Sequence, residues 1–461
     1  MMQPLAHPLT CFKAYDIRGR LDEDLTEANT YRIGRAFADV IGAKRVVVGR
    51  DIRPSSEGLA RALAEGLVAA GVEVLDLGLS GTEEMYFAVS HLSADGGVCV
   101  TASHNPMDYN GLKMVQAESA PIGADTGMAA IKTLAESGAF APDVSGGMVR
   151  DVSDTRAAYV DSVLSFVSTS SLKPLKILVN AGNGAAGPTF DAIADALAAR
   201  GVPWQFIRMH HTPDGGFPNG IPNPMLPENQ PPTREAMLRE GADLAVAWDG
   251  DFDRCFFFDH EGNFVPGEYL VGLLAEVFLA KSPGAKIVHD PRTIWCTQHV
   301  VSRAGGTTIM SKVGHSNIKR VLRDTGAIYG GEMSAHHYFR DFFCCDSGMI
   351  PWLLISELLG RRGTTLKALI EERAAAFPSS GEVNFRVKDA GSIVSKVEQV
   401  YGPKAISRDD TDGLSLTFED WRLNLRSSGT EPLLRLNIEA KGSRDRVDQM
   451  MAELREIIEA G

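Results

Sequence analysis

GGVCVTASHNPMDYNG, residues 96–111, joins a short apolar run to a polar turn. Val98 to Val100 have the composition of a buried strand, and Pro106 ends the extended run. Ser103 and His104 place a hydroxyl beside an imidazole directly after this strand. Because functional groups of α/β proteins gather at the carboxyl ends of strands, this junction predicts an α/β sheet with chemistry at one edge.

The same order of strand, polar loop and helix occurs three times along the chain. The copies are RVVVGRDIRPSSEGLARALAEGLVAAG at 45–71, KILVNAGNGAAGPTFDAIADALAARG at 176–201 and KIVHDPRTIWCTQHVVSRAG at 286–305. Strands that alternate with helices predict parallel α/β layers. Residues 414–440 differ, because two strand-like runs flank a polar turn and an amphipathic helix follows. This last part predicts a smaller α+β domain.

These patterns predict four domains, of which three are related mixed α/β sheet domains and the fourth is α+β. The expected limits are residues 1–152, 153–260, 261–374 and 375–461.

Composition excludes several classes of partner. The 461 residues carry a net charge of −13, which argues against nucleic acid and against an anionic membrane surface, while local arginines and lysines can still bind a small anion. The N-terminus lacks the pattern of a signal peptide, and no apolar run reaches the length of a membrane helix. The six cysteines form no CxxC pair, so we expect reduced thiols and a cytoplasmic protein.

Asp249, Asp251 and Asp253 alternate in DGDFDR, directly after the apolar run 244–248. Three carboxylates at a strand end need a counter-charge, and an all-oxygen ligand set suits Mg²⁺ or Ca²⁺. A solvated acidic turn is the simpler alternative. The metal interpretation is favoured because Gly250 frees the backbone and Arg254 follows. Beside such a metal, Ser103 would be a phosphoryl acceptor, whereas taken alone it would be an ordinary turn residue.

Two further loops carry polar side chains suited to a phosphorylated sugar. RSSGTEP at 426–432 combines an arginine, hydroxyls and a glycine turn, as a phosphate site does, although a surface hairpin turn fits equally well. Glu332, Ser334 and His336 alternate, so an extended backbone would place them on one side, where they suit sugar hydroxyls. The alternative is a loop that only precedes a helix.

GNGAAG at 182–187 matches the dinucleotide pattern G-x-G-x-x-G between a strand and a helix. The next predicted strand ends in His210 and His211 and lacks the acidic residue that this pattern requires. We therefore interpret it as a tight structural turn.

Four motifs in order, TASHNP, DGDFDR, GEMSAHH and RSSGTEP, resemble the α-D-phosphohexomutase superfamily over essentially the whole chain. The run GEMSAHHYFRDF resembles its bacterial phosphomannomutase branch, which includes dual phosphomannomutase/phosphoglucomutase enzymes. That loop often reads GEMSGH, and Ala335 here replaces the glycine. The resemblance implies four domains around a central cleft, phosphoserine at Ser103, and Mg²⁺ held by this phosphoserine and the three aspartates.

The resemblance also implies roles for individual residues. Catalytic roles fall on Ser103, His104, Lys113, Arg18 and His315, with Lys113 tied to proton transfer at the reacting oxygen. Substrate-binding roles fall on Tyr15, Arg254, Arg292, Glu332, Ser334, His336, Arg426, Ser427, Ser428, Gly429 and Thr430.

The implied activity is that of an isomerase, a phosphomannomutase that interconverts mannose 6-phosphate and mannose 1-phosphate. The implied intermediate and activator is a hexose 1,6-bisphosphate, and glucose phosphates are a second substrate class. A member that prefers glucose phosphates and a metal-dependent sugar phosphatase with an aspartate nucleophile stay open as alternatives. A dinucleotide-dependent oxidoreductase and a non-catalytic sugar-phosphate-binding protein are weaker ones. The expected partners are hexose phosphates only, and the expected chain is a monomer.

Overall fold

The computed structural model describes residues 2–13, 15–123, 126–170, 172–427 and 433–460. The chain divides into two compact units. The first unit comprises Met1–Phe264 and Phe339–Gly363, and the second comprises Val265–Tyr338 and Thr364–Gly461. Among the helices of the described residues, none combines the length and the apolar character needed to span a membrane.

The first unit begins with a six-stranded mixed sheet. Its strands and helices are β1 (Ile17–Arg20), α1 (Glu27–Ile41), β2 (Arg45–Arg50), α2 (Pro54–Ala69), β3 (Glu73–Leu79), α3 (Thr82–His91), β4 (Gly96–Val100), β5 (Tyr109–Gln116), α4 (Met128–Ser137) and β6 (Met148–Asp151). The strand order is β1-β5-β4-β2-β3-β6. β2 pairs in parallel with both β3 and β4, so the loops that follow β2 and β4 emerge at the same edge.

The packing of this sheet follows from its sequence. β4 is buried along its whole length, as its unbroken apolar run predicts. In α2, Leu59, Leu63 and Leu67 recur every four residues and are all buried against the sheet. Pro54 occupies the first turn of α2, where its missing N–H costs no helical hydrogen bond.

A smaller mixed sheet follows in the first unit. The next elements are α5 (Thr155–Leu164), β7 (Leu175–Asn180), α6 (Ala186–Ala199), β8 (Trp204–Met209), α7 (Pro231–Glu240), β9 (Leu244–Trp248) and β10 (Cys255–Phe258). The order is β10-β9-β7-β8, with β7 parallel to β8 and β9, and β10 antiparallel to β9. The acidic loop, residues 249–254, therefore connects the two strands of a hairpin.

The second unit starts with a further α/β layer. Its elements are α8 (Gly267–Lys281), β11 (Lys286–His289), α9 (Trp295–Arg303), β12 (Thr307–Met310), α10 (His315–Thr325), β13 (Tyr329–Gly331) and β14 (His337–Phe339). β11 pairs in parallel with β12 and with β13. The elements that follow, β15 (Cys345–Asp346) and α11 (Met349–Arg362), fall in the residues of the first unit.

The C-terminal part of the second unit is α+β, as its sequence predicts. Its elements are α12 (Leu366–Ala376), β16 (Ser379–Arg386), α13 (Ala390–Tyr401), β17 (Ser407–Asp409), β18 (Leu414–Thr417), β19 (Trp421–Ser427), β20 (Leu433–Ala440) and α14 (Arg444–Glu459). The sheet is antiparallel in the order β16-β20-β19-β18-β17. Ser443 caps α14 by accepting a hydrogen bond from the Arg446 N–H.

The predicted fold class is thus confirmed: mixed α/β sheets precede an α+β C-terminal part. The domain limits at residues 152, 260 and 374 stay predictions.

Candidate active site

Ser103 lies just beyond β4, in a turn that the structure folds back on itself. Its φ is 50°, in the left-handed region that non-glycine residues rarely adopt. Its Oγ donates to Asp249 Oδ2 at 2.6 Å, and its Oγ lies 2.9 Å from His104 Nδ1. On an extended chain these neighbouring side chains would point apart. The left-handed turn is the reason that the imidazole reaches the serine hydroxyl here.

The acidic loop gathers Asp249, Asp251 and Asp253 in one buried cluster. One carboxylate oxygen from each lies within 4.8 Å of the other two. Phe252, with a φ of 47°, turns to the other side and packs on Gly81, where a Cβ would lie only 2.3 Å from the ring. The alternation in DGDFDR therefore separates three ligand side chains from one packing side chain.

Two buried cations compensate this cluster. Lys113, on β5, donates to Asp251 Oδ2 at 2.7 Å and also to Asp253 Oδ2. Arg254 donates through Nη2 to Asp249 Oδ2 at 2.6 Å, and the same nitrogen lies 3.3 Å from Ser103 Oγ. Three carboxylates and two cations leave a formal charge of −1 at the site.

For Asp251 and Lys113, the neighbouring opposite charges shift the pKa against the direction that burial favours. Burial alone would raise the pKa of Asp251, but the charge and hydrogen bonds of Lys113 outweigh burial and lower it. Burial would lower the pKa of Lys113, and the nearby aspartates raise it instead. For His104, burial and the charge of Arg254 both lower the pKa well below 6.5. His104 is therefore neutral, and Arg254 donates to its Nδ1.

The aspartate cluster fits a hard divalent cation. Asp251 Oδ1 is buried and has no hydrogen-bond partner among the described residues. Leaving a buried carboxylate oxygen without a hydrogen-bond partner costs free energy, and a bound metal ion would supply that partner. With Ser103 Oγ within hydrogen-bond distance of Asp249, the donor set consists of oxygens, which suits Mg²⁺.

Close backbone contacts hold the serine turn and the acidic loop together. A Cβ on Gly250 would lie 2.5 Å from the Ser103 carbonyl oxygen. On the other side of Gly250, its carbonyl accepts from the Ala185 N–H at 3.0 Å, and a Cβ on Gly184 would lie 2.8 Å from the same oxygen. The turn 182–187 is thus a close-packed support for the acidic loop, as the structural interpretation of GNGAAG predicts.

Two of the predicted residues lie at β1. Arg18, on β1, donates through Nη1 to Asn105 Oδ1 at 2.6 Å, which joins it to the serine turn. Its Nη2 also pairs with Asp16 at 3.1 Å. Tyr15 precedes β1 and is half-buried.

In the second unit, the loop after β13 meets the loop after β11. Arg292 Nη2 lies 3.3 Å from Ser334 Oγ and 3.7 Å from the Glu332 carboxylate. Glu332 also accepts from the Gly314 N–H at 2.9 Å, directly before His315 opens α10. Glu332, Ser334, Arg292 and the start of α10 are therefore brought together.

The backbone of this loop differs from the extended form expected for it. Residues 332–336 form a tight turn, in which the Glu332 N–H donates to the His336 carbonyl at 2.9 Å. Ala335 has a φ of 69° within the turn. The side chains of 332, 334 and 336 are accordingly not aligned along a strand, because β13 and β14 end on either side of them. His336 is half-buried and stacks on Tyr338.

Glu382 contacts three arginines, an arrangement that the sequence did not indicate. It accepts from Arg426 Nη2 at 2.8 Å and lies 3.6 Å from Arg292 Nη1 and 3.6 Å from Arg435 Nη1. Ser427 is exposed at the end of β19. The predicted phosphate-loop residues Ser428, Gly429 and Thr430 lie outside the described residues.

Sequence reasoning also missed Arg53 and Thr82, which support the serine turn and the acidic loop. Thr82 donates to Asp251 Oδ2 at 2.6 Å. A signal for Arg53 was present, because DIRP at 51–54 directly follows β2, the parallel neighbour of β4. Charged residues at that edge of the sheet are expected to lie near Ser103.

Comparison with known proteins extends this picture to the whole chain. Models of four phosphoglucomutase/phosphomannomutase domains match: α/β/α domain I at residues 10–142, domain II at 157–262, domain III at 266–377 and the C-terminal domain at 382–457. A protein named Phosphomannomutase from Salmonella montevideo is 56% identical over 453 residues, which cover 98% of each chain. Proteins named Phosphohexose mutases from Xanthomonas campestris pv. campestris are 54% identical, covering 94% of this chain and 96% of theirs.

Among solved structures, a phosphoglucomutase/phosphomannomutase family protein from Burkholderia thailandensis superposes with a TM-score of 0.86 at 33% identity. The match covers 98% of this chain and 97% of that one. Matches to all four domain models and to full-length relatives above half identity agree with one another. The chain belongs to the phosphoglucomutase/phosphomannomutase family.

Proposed function

We propose that this isomerase interconverts mannose 6-phosphate and mannose 1-phosphate through phosphoserine at Ser103 and a hexose 1,6-bisphosphate. The observation that carries the proposal is the Ser103 hydroxyl, 2.6 Å from Asp249 at the edge of a buried cluster of three carboxylates. The names of relatives at 56% and 54% identity support mutase chemistry, and the name of the first supports mannose phosphates.

The reaction balances without a co-substrate. The bond between phosphorus and Ser103 Oγ breaks as a bond forms to the free hydroxyl of the hexose monophosphate, which loses its proton while Ser103 Oγ takes one up. The bisphosphate then reorients within the site, and its other phosphoryl group is transferred to Ser103 Oγ. Uncatalysed reactions of phosphate monoesters are extremely slow, so placed charges must supply most of the reduction in barrier.

The residues around Ser103 divide this work. Asp249, Asp251 and Asp253, with the phosphate on Ser103, would hold Mg²⁺, which when bound neutralises phosphoryl charge. Arg254 already lies 3.3 Å from Ser103 Oγ, so its guanidinium is placed to bind a phosphoryl oxygen. Lys113 is held protonated between two aspartates and would serve as a proton donor at the reacting oxygen. Neutral His104, whose Nδ1 lies 2.9 Å from Ser103 Oγ, would orient the transferred group.

The second cluster would recognise the hexose phosphate. Glu332 and Ser334 offer an acceptor and a hydroxyl beside the cation of Arg292, a combination that suits sugar hydroxyls. Arg426 would bind the phosphate together with the loop 427–430 that follows it. We assign His336 and Tyr15 to substrate contacts, and Arg18 and His315 to catalytic roles in the same reaction. The activator would be a hexose 1,6-bisphosphate, which phosphorylates Ser103.

The test is ³¹P NMR of the purified protein with Mg²⁺ and a catalytic amount of hexose 1,6-bisphosphate. Mannose 1-phosphate and glucose 1-phosphate are supplied separately, and Ser103→Ala is the control. Conversion of mannose 1-phosphate to the 6-phosphate, lost in the variant, is expected. Release of free phosphate that persists in Ser103→Ala would instead identify a phosphatase with an aspartate nucleophile. Faster conversion of glucose 1-phosphate would identify a phosphoglucomutase.

A further inference from the structure

Behind the serine turn, the Arg53 side chain is almost fully buried, with 1% of its surface exposed. Its guanidinium donates to four backbone carbonyls, all between residues 103 and 109. Nη2 donates to the oxygens of Ser103 at 2.9 Å and Asn105 at 2.5 Å. Nη1 donates to those of Pro106 at 3.0 Å and Tyr109 at 3.3 Å. One side chain therefore holds the backbone of the whole turn.

The turn needs such a partner for two reasons. The left-handed φ of Ser103 is unfavourable for a residue with a side chain, so surrounding contacts must impose it. Ser103 is also buried beyond the end of β4, so its carbonyl needs a donor from outside the strand ladder. Because a guanidinium is planar and keeps its charge, it can donate in several fixed directions at once, which an ammonium group cannot match.

Arg53 is itself held on two sides. Asp51 Oδ1 accepts from the Arg53 backbone N–H at 2.9 Å and from Ser56 Oγ at 2.5 Å, and Asp51 Oδ2 lies 3.6 Å from Arg53 Nε. The Arg53 guanidinium lies over the ring of Phe217, with Cζ 5.7 Å from the ring centroid. These contacts hold the Arg53 guanidinium in one orientation. Through its hydrogen bonds, the guanidinium in turn holds the serine turn in one conformation.

We propose that Arg53 is a positioning residue that fixes the direction in which Ser103 Oγ presents its phosphoryl group. Arg53 contacts the backbone of the turn through its guanidinium, whose Nη1 and Nη2 donate to carbonyl oxygens rather than to a side chain that reacts. Its loss should therefore slow phosphoryl transfer and leave the binding of hexose phosphate unchanged. This inference rests on the proposed function.

The test compares Arg53→Lys with Arg32→Lys. Arg32 is a matched control, because its buried guanidinium also donates to backbone carbonyls: Ala135 at 2.7 Å, Gln3 at 3.0 Å and Glu136 at 3.1 Å. For Arg53→Lys we expect kcat to fall at least tenfold with KM changed less than twofold. We also expect its ³²P-labelled phosphoserine to lose more label to water. Arg32→Lys should lower the melting temperature and leave kcat within twofold.

A kcat of Arg53→Lys within twofold of that of Arg32→Lys would overturn the inference while wild-type turnover upholds the proposed function. Failure of the wild type to interconvert hexose phosphates would overturn the proposed function itself and the inference with it. If Arg53→Lys does not fold, Phe217→Leu is the test, because it leaves Arg53 in place and removes the ring beside its guanidinium. We expect that variant to lose at least threefold in kcat at unchanged KM, and an unchanged kcat would overturn the inference.

Discussion

Replacing Gly250 by alanine tests the close approach of the acidic loop to the serine turn. The added Cβ would lie 2.5 Å from the Ser103 carbonyl oxygen and 3.2 Å from its carbonyl carbon. Both atoms belong to the backbone, so no side-chain rotation can relieve the contact. The φ of Gly250 lies outside the left-handed region, which leaves this contact as the source of strain.

The size of the effect follows from the distance. An ordinary contact of a Cβ begins at 3.4 Å, so the two loops must separate by roughly 1 Å. A displacement of this size between reacting groups costs roughly 100-fold in rate, which corresponds to about 2.7 kcal/mol in the barrier. We expect kcat to fall by that factor, because Asp249 moves away from Ser103 Oγ, and KM for hexose phosphates to change little.

The assay is steady-state conversion of mannose 1-phosphate at saturating Mg²⁺, with thermal unfolding measured in parallel. Gly391→Ala is the control, since its Cβ would meet only Asp389 Oδ1 at an ordinary 3.5 Å. We expect this control to keep its kcat. A Gly250→Ala enzyme with wild-type kcat would refute the reasoning, because it would show that the two loops need not touch.

Three further predictions concern charge. Lys113→Met should tighten Mg²⁺ binding roughly tenfold or more, since it removes a cation bonded to the aspartates; calorimetry showing weaker binding would contradict this. Glu382→Gln should lower KM for hexose phosphates several-fold by freeing Arg426, and a raised KM in steady-state assays would count against it. Burial holds the pKa of His337 at about 3, below the 6.5 of the unfolded chain, so stability is lost as the pH falls from 6.5 towards 3. Between pH 7.5 and 5, His337→Gln should lose about 2 kcal/mol less than wild type in urea unfolding, and equal losses would be inconsistent with this.

Much of the fold was predictable, because it depends on local patterns. The apolar run of β4, the four-residue spacing of leucines in α2 and the Ser443 cap of α14 each predict the element that the structure shows. The alternation in DGDFDR likewise predicts a cluster of three aspartates, since a hairpin loop brings them together without help from distant residues.

The rest depends on backbone conformations and contacts that spacing does not encode. Ser103 and Ala335 adopt left-handed φ values, which turn both loops away from the extended form assumed for them. Glu382 contacts arginines that are far apart in the sequence: the register of the C-terminal sheet places Arg426 and Arg435 beside it, and Arg292 reaches it from the loop after β11. The position of Arg53 after β2 indicates that it lies near the serine turn, but its hydrogen bonds to backbone carbonyls carry no signature in the sequence.

The most direct measurement follows the phosphoryl group itself. Protein labelled with ³²P at Ser103 is mixed with unlabelled mannose 1-phosphate in a rapid-quench apparatus. The reaction is stopped at a series of times, and the labelled products in each sample are separated. Label should leave the protein and appear first in hexose 1,6-bisphosphate and then in mannose 6-phosphate, at a rate no slower than kcat. Label that stays on the protein during turnover, or leaves it only as inorganic phosphate, would show that phosphoserine 103 is not the donor.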